Sequence, residues 1–348
     1  MLIIAKQSKS QIDEAGLILR NKSSHTELQI AHARNTLKDL RGFHIYPLNT
    51  FQALLRKRVK LLDSQGIVVQ RLKREQSIID KLNRFPTMRL SKMQDIGGLR
   101  AILDTEEKVL LLRDQYIKSK FPHKLIKQND YILEPKDDGY RGIHLIYEYH
   151  NSKAPLYNGI QLELQLRTKL QHYWATAVEI VATYFDGENL KQGRASQEWK
   201  QFFLLTSKAI MLMEGSYSSA NSTITDSESI KTELLSLDYQ FGFLAKLDQI
   251  KSATDLIGSH NKHAVLNLVI FNHENSLTQI FSYIKSEADI AMEDYGKAEA
   301  KISSGMEVDA VLVRTDSIEL LKKAYPNYFS NISNFRNLIR EFISQPEV

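Results

Sequence analysis

One acid stands on the polar side of QLELQLRT. Glu163 lies between Gln161 and Gln165, is followed by Arg167, and alternates with Leu162, Leu164 and Leu166. A period of two is that of a strand with one buried face. Solubility alone asks for no such row, and a lone carboxylate among amides and a guanidinium suits holding a cation or orienting a hydroxyl. Three other segments carry matching residue types. In QRLKREQSIIDKL, Lys73, Ser77 and Lys81 recur at helical spacing on one face, with Arg71 just ahead of it. Two ammonium groups, a hydroxyl and a guanidinium suit a polyphosphate, although lysines at this spacing also mark ordinary solvated helices. In MQDIGGLRAIL, Asp95 precedes Gly97, Gly98 and a strand containing Arg100. The glycines let the backbone pass close to a ligand or simply bend, and the aspartate holds a metal or caps a turn. In DYILEPKDDGYRGIHLIYEY, a Pro-Asp-Gly turn sets Tyr140 and Arg141 directly after Gly139, and His144 enters the next strand. An aromatic plane beside a cation suits a base and its phosphates, and a bland hairpin can contain the same pair.

Jointly these segments supply two carboxylates, several Lys and Arg, an exposed Tyr, and neither a nucleophilic Cys nor a Walker-type GxxxxGKS. Asp95 and Glu163, on neighbouring strands, are expected to share a Mg²⁺, a hard cation that needs few protein carboxylates when substrate phosphates complete its shell. The set fits metal-assisted phosphoryl transfer, in which positioning and charge neutralisation dominate.

The elements that must position these groups follow from the apolar pattern. Helices are expected over KSQIDEAGLILRNK, ELQIAHARNTLKDLRG and, capped by Asn49 after Pro47, TFQALLRKRVKLL, whose Arg56, Lys57, Arg58 and Lys60 read as a solvated face. GLRAIL, HKLIKQNDYI, GIHLIYEY and IQLELQL are strand candidates. Helices return from Leu170 to Gly187, with Trp174 as core, and near SQEWKQFFLLTSKAIMLM. GSYSSANSTITDSES, rich in small polar residues, is the expected boundary. Beyond it, HAVLNLVIFN and DAVLVRT read as strands, and SLTQIFSYIKSEADIA, IELLKKA and FRNLIREFI as helices. The resulting expectation is an α/β (α+β) fold: a helical region over 1–44, a mixed-sheet unit flanked by helices over 45–214, a linker over 215–229, and a smaller accessory α/β unit over 230–348. A chain ending near Thr225 is then expected to keep the chemistry.

With 43% hydrophobic and 25% charged residues, the 348-residue chain has ordinary globular proportions. Its apolar runs are too short to span a bilayer, and MLIIAKQSKS has no signal-peptide pattern. The absence of cysteine fits a reducing cytoplasm and excludes disulfides. A net charge of +5 suits polyphosphate or RNA partners without requiring them.

The four segments, in order, resemble the synthetase domain of the RelA/SpoT family, the alarmone synthetases that move pyrophosphate from ATP to a nucleotide 3′-hydroxyl. The resemblance covers roughly residues 45–190, in RLKREQSIIDK, DIGGLR, DYILEPKDDGYR, ELQLRT and WATAVE. It implies a nucleotidyltransferase-like sheet and a GTP/GDP pyrophosphokinase making (p)ppGpp, with Mg²⁺ as cofactor. The tRNA 3′ end or an adenine nucleotide is the alternative acceptor, as in toxic relatives. It further implies that Arg71 and Arg100 sandwich the adenine of ATP, that Lys73, Ser77 and Lys81 hold its phosphates, and that Asp95 and Glu163 carry the metal. Glu163 would also act as base or orienter. Tyr140 would stack on the acceptor base, and Lys136, Arg141, His144, Gln165 and Arg167 would line the acceptor side. Gly142 replaces the family's usual serine, and Glu179-Ile180 its usual Glu-His. No His is followed by Asp, so synthesis without hydrolysis is expected, with the C-terminal unit as the place where a regulator acts.

Overall fold

The computed structural model of the chain describes residues 7–118, 120–184, 196–215, 227–250, 254–259, 264–272, 274–275, 277–303, 308–315, 317–329 and 332–344. Three helices open it: α1 (Lys9–Arg20), α2 (Glu27–Phe43) and α3 (Ile45–Leu62). Capping boxes start the first two, Ser8 with Gln11 and Thr26 with Gln29. The third begins earlier than Asn49 suggests. Its N-cap is His44, and Pro47 sits inside the first turn, where the backbone N–H has no helical partner to lose.

The central elements are β1 (Ile67–Leu72), α4 (Glu75–Arg84), β2 (Gly97–Leu103), α5 (Glu106–Ile117), β3 (Lys124–Asp130), β4 (Ile143–Glu148), β5 (Gln161–Thr168), α6 (Lys169–Tyr184) and α7 (Gln197–Met213). One helix expectation is corrected here. Arg71 belongs to β1, and Lys73 to the link before α4, because the β-branched run of Ile67, Val68 and Val69 carries the chain on as strand to Leu72. Then come α8 (Ser227–Phe241), α9 (Phe243–Gln249), β6 (Thr254–Ser259), β7 (Leu266–Asn272), β8 (Leu277–Tyr283), α10 (Ala288–Ser303), β9 (Val308–Arg314), α11 (Ile318–Ala324) and α12 (Ser333–Ser344). The expected helix at SLTQIFSYIKSEADIA is, over Leu277–Tyr283, strand β8. Thr278, Ile280 and Ser282 alternate onto its buried face, the two hydroxyls bonding Tyr328 O and Asn267 Oδ1.

The nine strands among the described residues form one mixed sheet in the order β3-β4-β5-β2-β1-β9-β7-β8-β6. The β2–β5 and β6–β8 pairs are parallel, and the other pairs are antiparallel. The strands expected of a separate accessory unit therefore extend the sheet of the first. Residues 216–226, most of the expected linker, lie outside the described residues. Two core clusters cross the expected boundary. Phe335, Ile339 and Phe342 of α12 pack with Trp199, Phe202 and Phe203 of α7, and Val311 and Val313 of β9 with Ile67, Val69 and Ile102. A buried bidentate ion pair, Arg41 Nη1 to Glu299 Oε2 at 2.6 Å and Nη2 to Oε1 at 3.1 Å, ties α2 to α10. Among the described residues no helix is long and apolar enough to cross a membrane.

Candidate active site

Parallel pairing of β2 with β5 and antiparallel pairing of β4 with β5 set Gly98 and Ile146 beside Glu163, and Arg100 and His144 beside Gln165. These residues share one face, while Leu162, Leu164 and Leu166 enter the core on the other. Asp95 sits just before β2. The apolar side of α4, Ile78, Ile79 and Leu82, packs into the cluster containing Ile12, Leu19 and Leu37 of α1 and α2, which leaves its polar side to the sheet. Lys81 thus reaches Asp95 Oδ1 at 3.0 Å, and Lys73 reaches Oδ2 at 2.9 Å. Ser77 lies one turn before Lys81. Burial pushes the Asp95 carboxyl up, but the two ammonium groups outweigh it and hold it below its ordinary value. Burial also lowers Lys73, against the pull of Asp95.

Glu163 heads a second network. Its Oε1 is 2.9 Å from His144 Nδ1, and its Oε2 accepts from Gln165 Nε2 at 2.8 Å. His144 Nε2 is 2.6 Å from the Tyr140 hydroxyl, which accepts from Arg167 Nε at 3.1 Å. Because a guanidinium can only donate, the chain runs Arg167 to Tyr140 to His144 to Glu163, with the imidazole proton assigned to Nδ1. Burial opposes the Glu163 charge, yet the His144 and Gln165 bonds bring its pKa down to about 2.

The Tyr140 ring stands half-buried at the edge of this network, perpendicular to Tyr131 and His144, with Lys136 Nζ 5.0 Å from its centroid. Gly142 has φ 148°, and a Cβ there would lie 3.2 Å from both the Tyr140 hydroxyl and Arg167 Cγ. Glycine therefore suits this position better than the family's serine. Arg141 is not brought to the cluster and is corrected as an acceptor-side residue. It points away from Tyr140, where Glu214 Oε2 accepts from Nη1 at 2.6 Å and Glu106 Oε2 from Nη2 at 2.9 Å. Successive residues of extended chain project to opposite sides, which adjacency in the sequence conceals.

Arg71 and Arg100 border a cleft with Asp95, Gly98, Leu99, Glu163 and Gln165, and Tyr325 also lines it. Tyr325, at the end of α11, is 4% exposed, and its ring centroid lies 5.9 Å from the Arg100 guanidinium. Arg100 also approaches Ala324 O at 3.5 Å, and His172 Nε2 approaches Lys323 O at 3.1 Å. Burial and Arg167 lower Arg100 to about 10. Burial pulls Arg71 down as well, but Tyr325, Glu179 and Tyr328 hold it above its ordinary value. The cleft encloses only about 10 Å³. Ligand pockets for drug-sized molecules run from about 300 to 1,000 Å³, so a nucleoside triphosphate does not fit with Tyr325 in place. Sequence reasoning passed over Tyr325 and Tyr328; the available signal was two tyrosines bracketing a proline turn between amphipathic helices.

On one polar face of a mixed α/β sheet, two carboxylates meet converging lysines and arginines, an arrangement whose charges suit a polyphosphate. Residues 70–189 match the family described as "Region found in RelA / SpoT proteins". The chain is 32% identical over 111 residues to GTP pyrophosphokinase YjbM of Bacillus subtilis (strain 168), covering 31% of this chain and 52% of that protein. It is 30% identical over 116 residues to GTP pyrophosphokinase YwaC of the same organism, covering 30% and 52%. The chain spans about half the length of these curated relatives. Among solved structures it is similar to the small alarmone synthetase 1 of Bacillus subtilis bound to its product pppGpp, at 22% identity and TM-score 0.42, covering 52% of this chain and 94% of that one. It is also similar to a GTP pyrophosphokinase family protein from Streptococcus pneumoniae, at 25% identity and TM-score 0.41, covering 49% and 85%.

Proposed function

We propose that this chain is an ATP-dependent pyrophosphokinase that transfers the β,γ-pyrophosphate of ATP to the 3′-hydroxyl of GDP or GTP. The observation that carries this reading is the meeting of Asp95 and Glu163 with Lys73, Lys81, Arg71 and Arg100 around one cleft. The relatives named GTP pyrophosphokinase support it. The two lysines neutralise the phosphates, and the two arginines flank the adenine. Lys136, Tyr140, His144, Gln165 and Arg167 border the acceptor side.

The donor set fits Mg²⁺. Among the described residues no three His, Asp or Glu gather as a self-sufficient metal site, and two carboxylates suffice when substrate phosphates complete the shell. Asp95 and Glu163 would hold the ion, which would supply charge neutralisation at the transferred phosphates. With a pKa of about 2, Glu163 is a poor proton acceptor, so it orients the attacking hydroxyl rather than deprotonating it. The same cleft supports regulation through the C-terminal segment: Tyr325 stands where the adenine would enter, so ATP use requires that segment to withdraw.

The test is incubation of γ-labelled ATP with GDP, GTP, AMP, ATP or bulk tRNA, using the full chain and Tyr325→Ala. Label in GDP or GTP is expected. Label in adenine nucleotides or tRNA reassigns the acceptor, and no transfer by either protein overturns the reading.

A further inference from the structure

Tyr140 ends a loop whose residues Leu133 to Asp138 are exposed or lie at the surface, yet its two neighbours, Gly139 and Arg141, are buried. Both neighbours are held by α7. Ser207 Oγ donates to Gly139 O at 2.5 Å. Gly139 has φ 89°, and a Cβ there would lie 3.0 Å from Ser207 Cβ and 3.3 Å from Leu204 Cα, so the helix approaches as closely as glycine permits. On the other side of Tyr140, Glu214, the C-cap residue of α7, accepts from Arg141 Nη1 at 2.6 Å. The side chains of this ion pair are 3% and 6% exposed. The same carboxylate also grips the end of β5 and the start of α6. The Thr168 hydroxyl donates to Glu214 Oε1, and Gln171 Nε2 donates to Oε2 at 3.3 Å. Arg141 and Thr168 directly follow Tyr140 and Arg167, and those two side chains meet each other at 3.1 Å. Glu214 is therefore bonded to the neighbours of both partners at once, which fixes the separation of the loop from the strand end.

We propose that Glu214 and Ser207 are positioning residues, through which α7 holds Tyr140 and Arg167 in place and so sets the affinity for the acceptor. Arg141, set directly after Tyr140, serves as the arm that Glu214 grips. The inference rests on the reading of Tyr140 and Arg167 as acceptor-side residues. Neither α7 residue borders the ATP cleft, so the effect falls on one substrate.

The test compares the full chain with Glu214→Ala, Glu214→Gln and Ser207→Ala, each checked for folding by circular dichroism, with GDP as the acceptor. The KM for GDP should rise about tenfold in Glu214→Ala, as for a lost hydrogen bond to a charged group, while the KM for ATP holds. Glu214→Gln still accepts from Arg141 and bonds Thr168, and should recover most of the loss. Ser207→Ala removes one hydrogen bond and little packing; it should raise the KM for GDP about threefold, and it carries the test if Glu214→Ala does not fold. A readout independent of turnover is the His144 Nε2 resonance, because the Tyr140 hydroxyl lies 2.6 Å from that nitrogen. It should shift in Glu214→Ala and Ser207→Ala, and the resonances of His44 should not. Equal rises in both KM values, an unchanged KM for GDP, or an unmoved His144 resonance in folded variants overturns the proposal. If the parent transfers nothing to GDP, the acceptor reading fails, and the resonance alone then decides whether α7 positions Tyr140.

Discussion

Replacing Tyr325 with alanine should open the cleft to ATP. Its ring is buried against Arg100, and a desolvated cation–π contact is worth roughly 1–2 kcal/mol. Covering an aromatic side chain adds about 1.5–3 kcal/mol. ATP displaces only part of that surface, because Tyr325 also belongs to the cluster containing Val311, Val313 and Leu321. If about 2 kcal/mol of the total opposes nucleotide entry, the open form is populated roughly 30-fold less than the closed one, and the apparent affinity falls by that factor. Tyr325→Ala should therefore lower the KM for ATP about 30-fold, with kcat little changed, and Tyr325→Phe, which keeps the ring, should resemble the parent. Initial rates against ATP concentration read this directly. Truncating a buried aromatic also costs stability, typically about 3–5 kcal/mol, so melting curves must show that the assayed protein is folded. An unchanged KM in folded Tyr325→Ala, or equal shifts for Ala and Phe, would refute the reasoning.

Glu163→Gln, close in shape but uncharged, should reduce turnover by at least ~100-fold, the scale of one lost electrostatic group, and parental turnover would remove Glu163 from the mechanism. Tyr140→Phe leaves His144 Nε2 and Arg167 Nε without their shared hydroxyl; the KM for the acceptor should rise while that for ATP holds, and equal changes in both would make Tyr140 a scaffold residue. Since the Glu163 pKa is depressed from 4.5 to about 2, its contacts contribute stability above pH 4.5 that is lost as pH falls towards 2. The shift corresponds to roughly 3 kcal/mol, so urea unfolding of parent and Glu163→Gln should converge progressively between those limits, and a constant difference would contradict the assignment. A chain ending at Thr225 loses β9 beside β1 and α12 beside α7, so, against the expectation from its sequence, it should unfold or aggregate; a folded, active truncation seen by circular dichroism and the labelled-ATP assay would show the junction to be dispensable.

The polar face of β5 was legible because its pattern is local. Glu163, Gln165 and Arg167 share a strand, and alternation alone puts them on one side. Lys73 and Lys81 were expected together as a phosphate cradle, but their convergence on Asp95 was not, and Lys73 arrives from the link after a strand rather than from a helix. What stayed hidden depends on partners distant in the chain. In and just after β8, Leu277, Ile280, Phe281 and Ile284 satisfy a helical spacing, and nothing local says that Thr278 and Ser282 will be buried and bonded to Tyr328 and Asn267. Arg141 reads as a phosphate ligand until Glu106 and Glu214 are brought beside it. Tyr325 has no local sign of its place, since Arg71 and Arg100 reach it only through the fold.

The pairing of β1 with β9 also sets an order of events during synthesis. Arg71, Asp95, Arg100 and Glu163 leave the ribosome well before Tyr325 and β9 exist. At about 5–20 residues per second the intervening stretch takes roughly ten to thirty seconds, long enough for local helices and the β2–β5 pair to form. Throughout that interval β1 is an open edge beside a cationic face, attractive to RNA and to other strands. The last quarter of the chain closes that edge and seats the phenol against Arg100 together, so the nascent protein passes its most adhesive stage just before its cleft is shut.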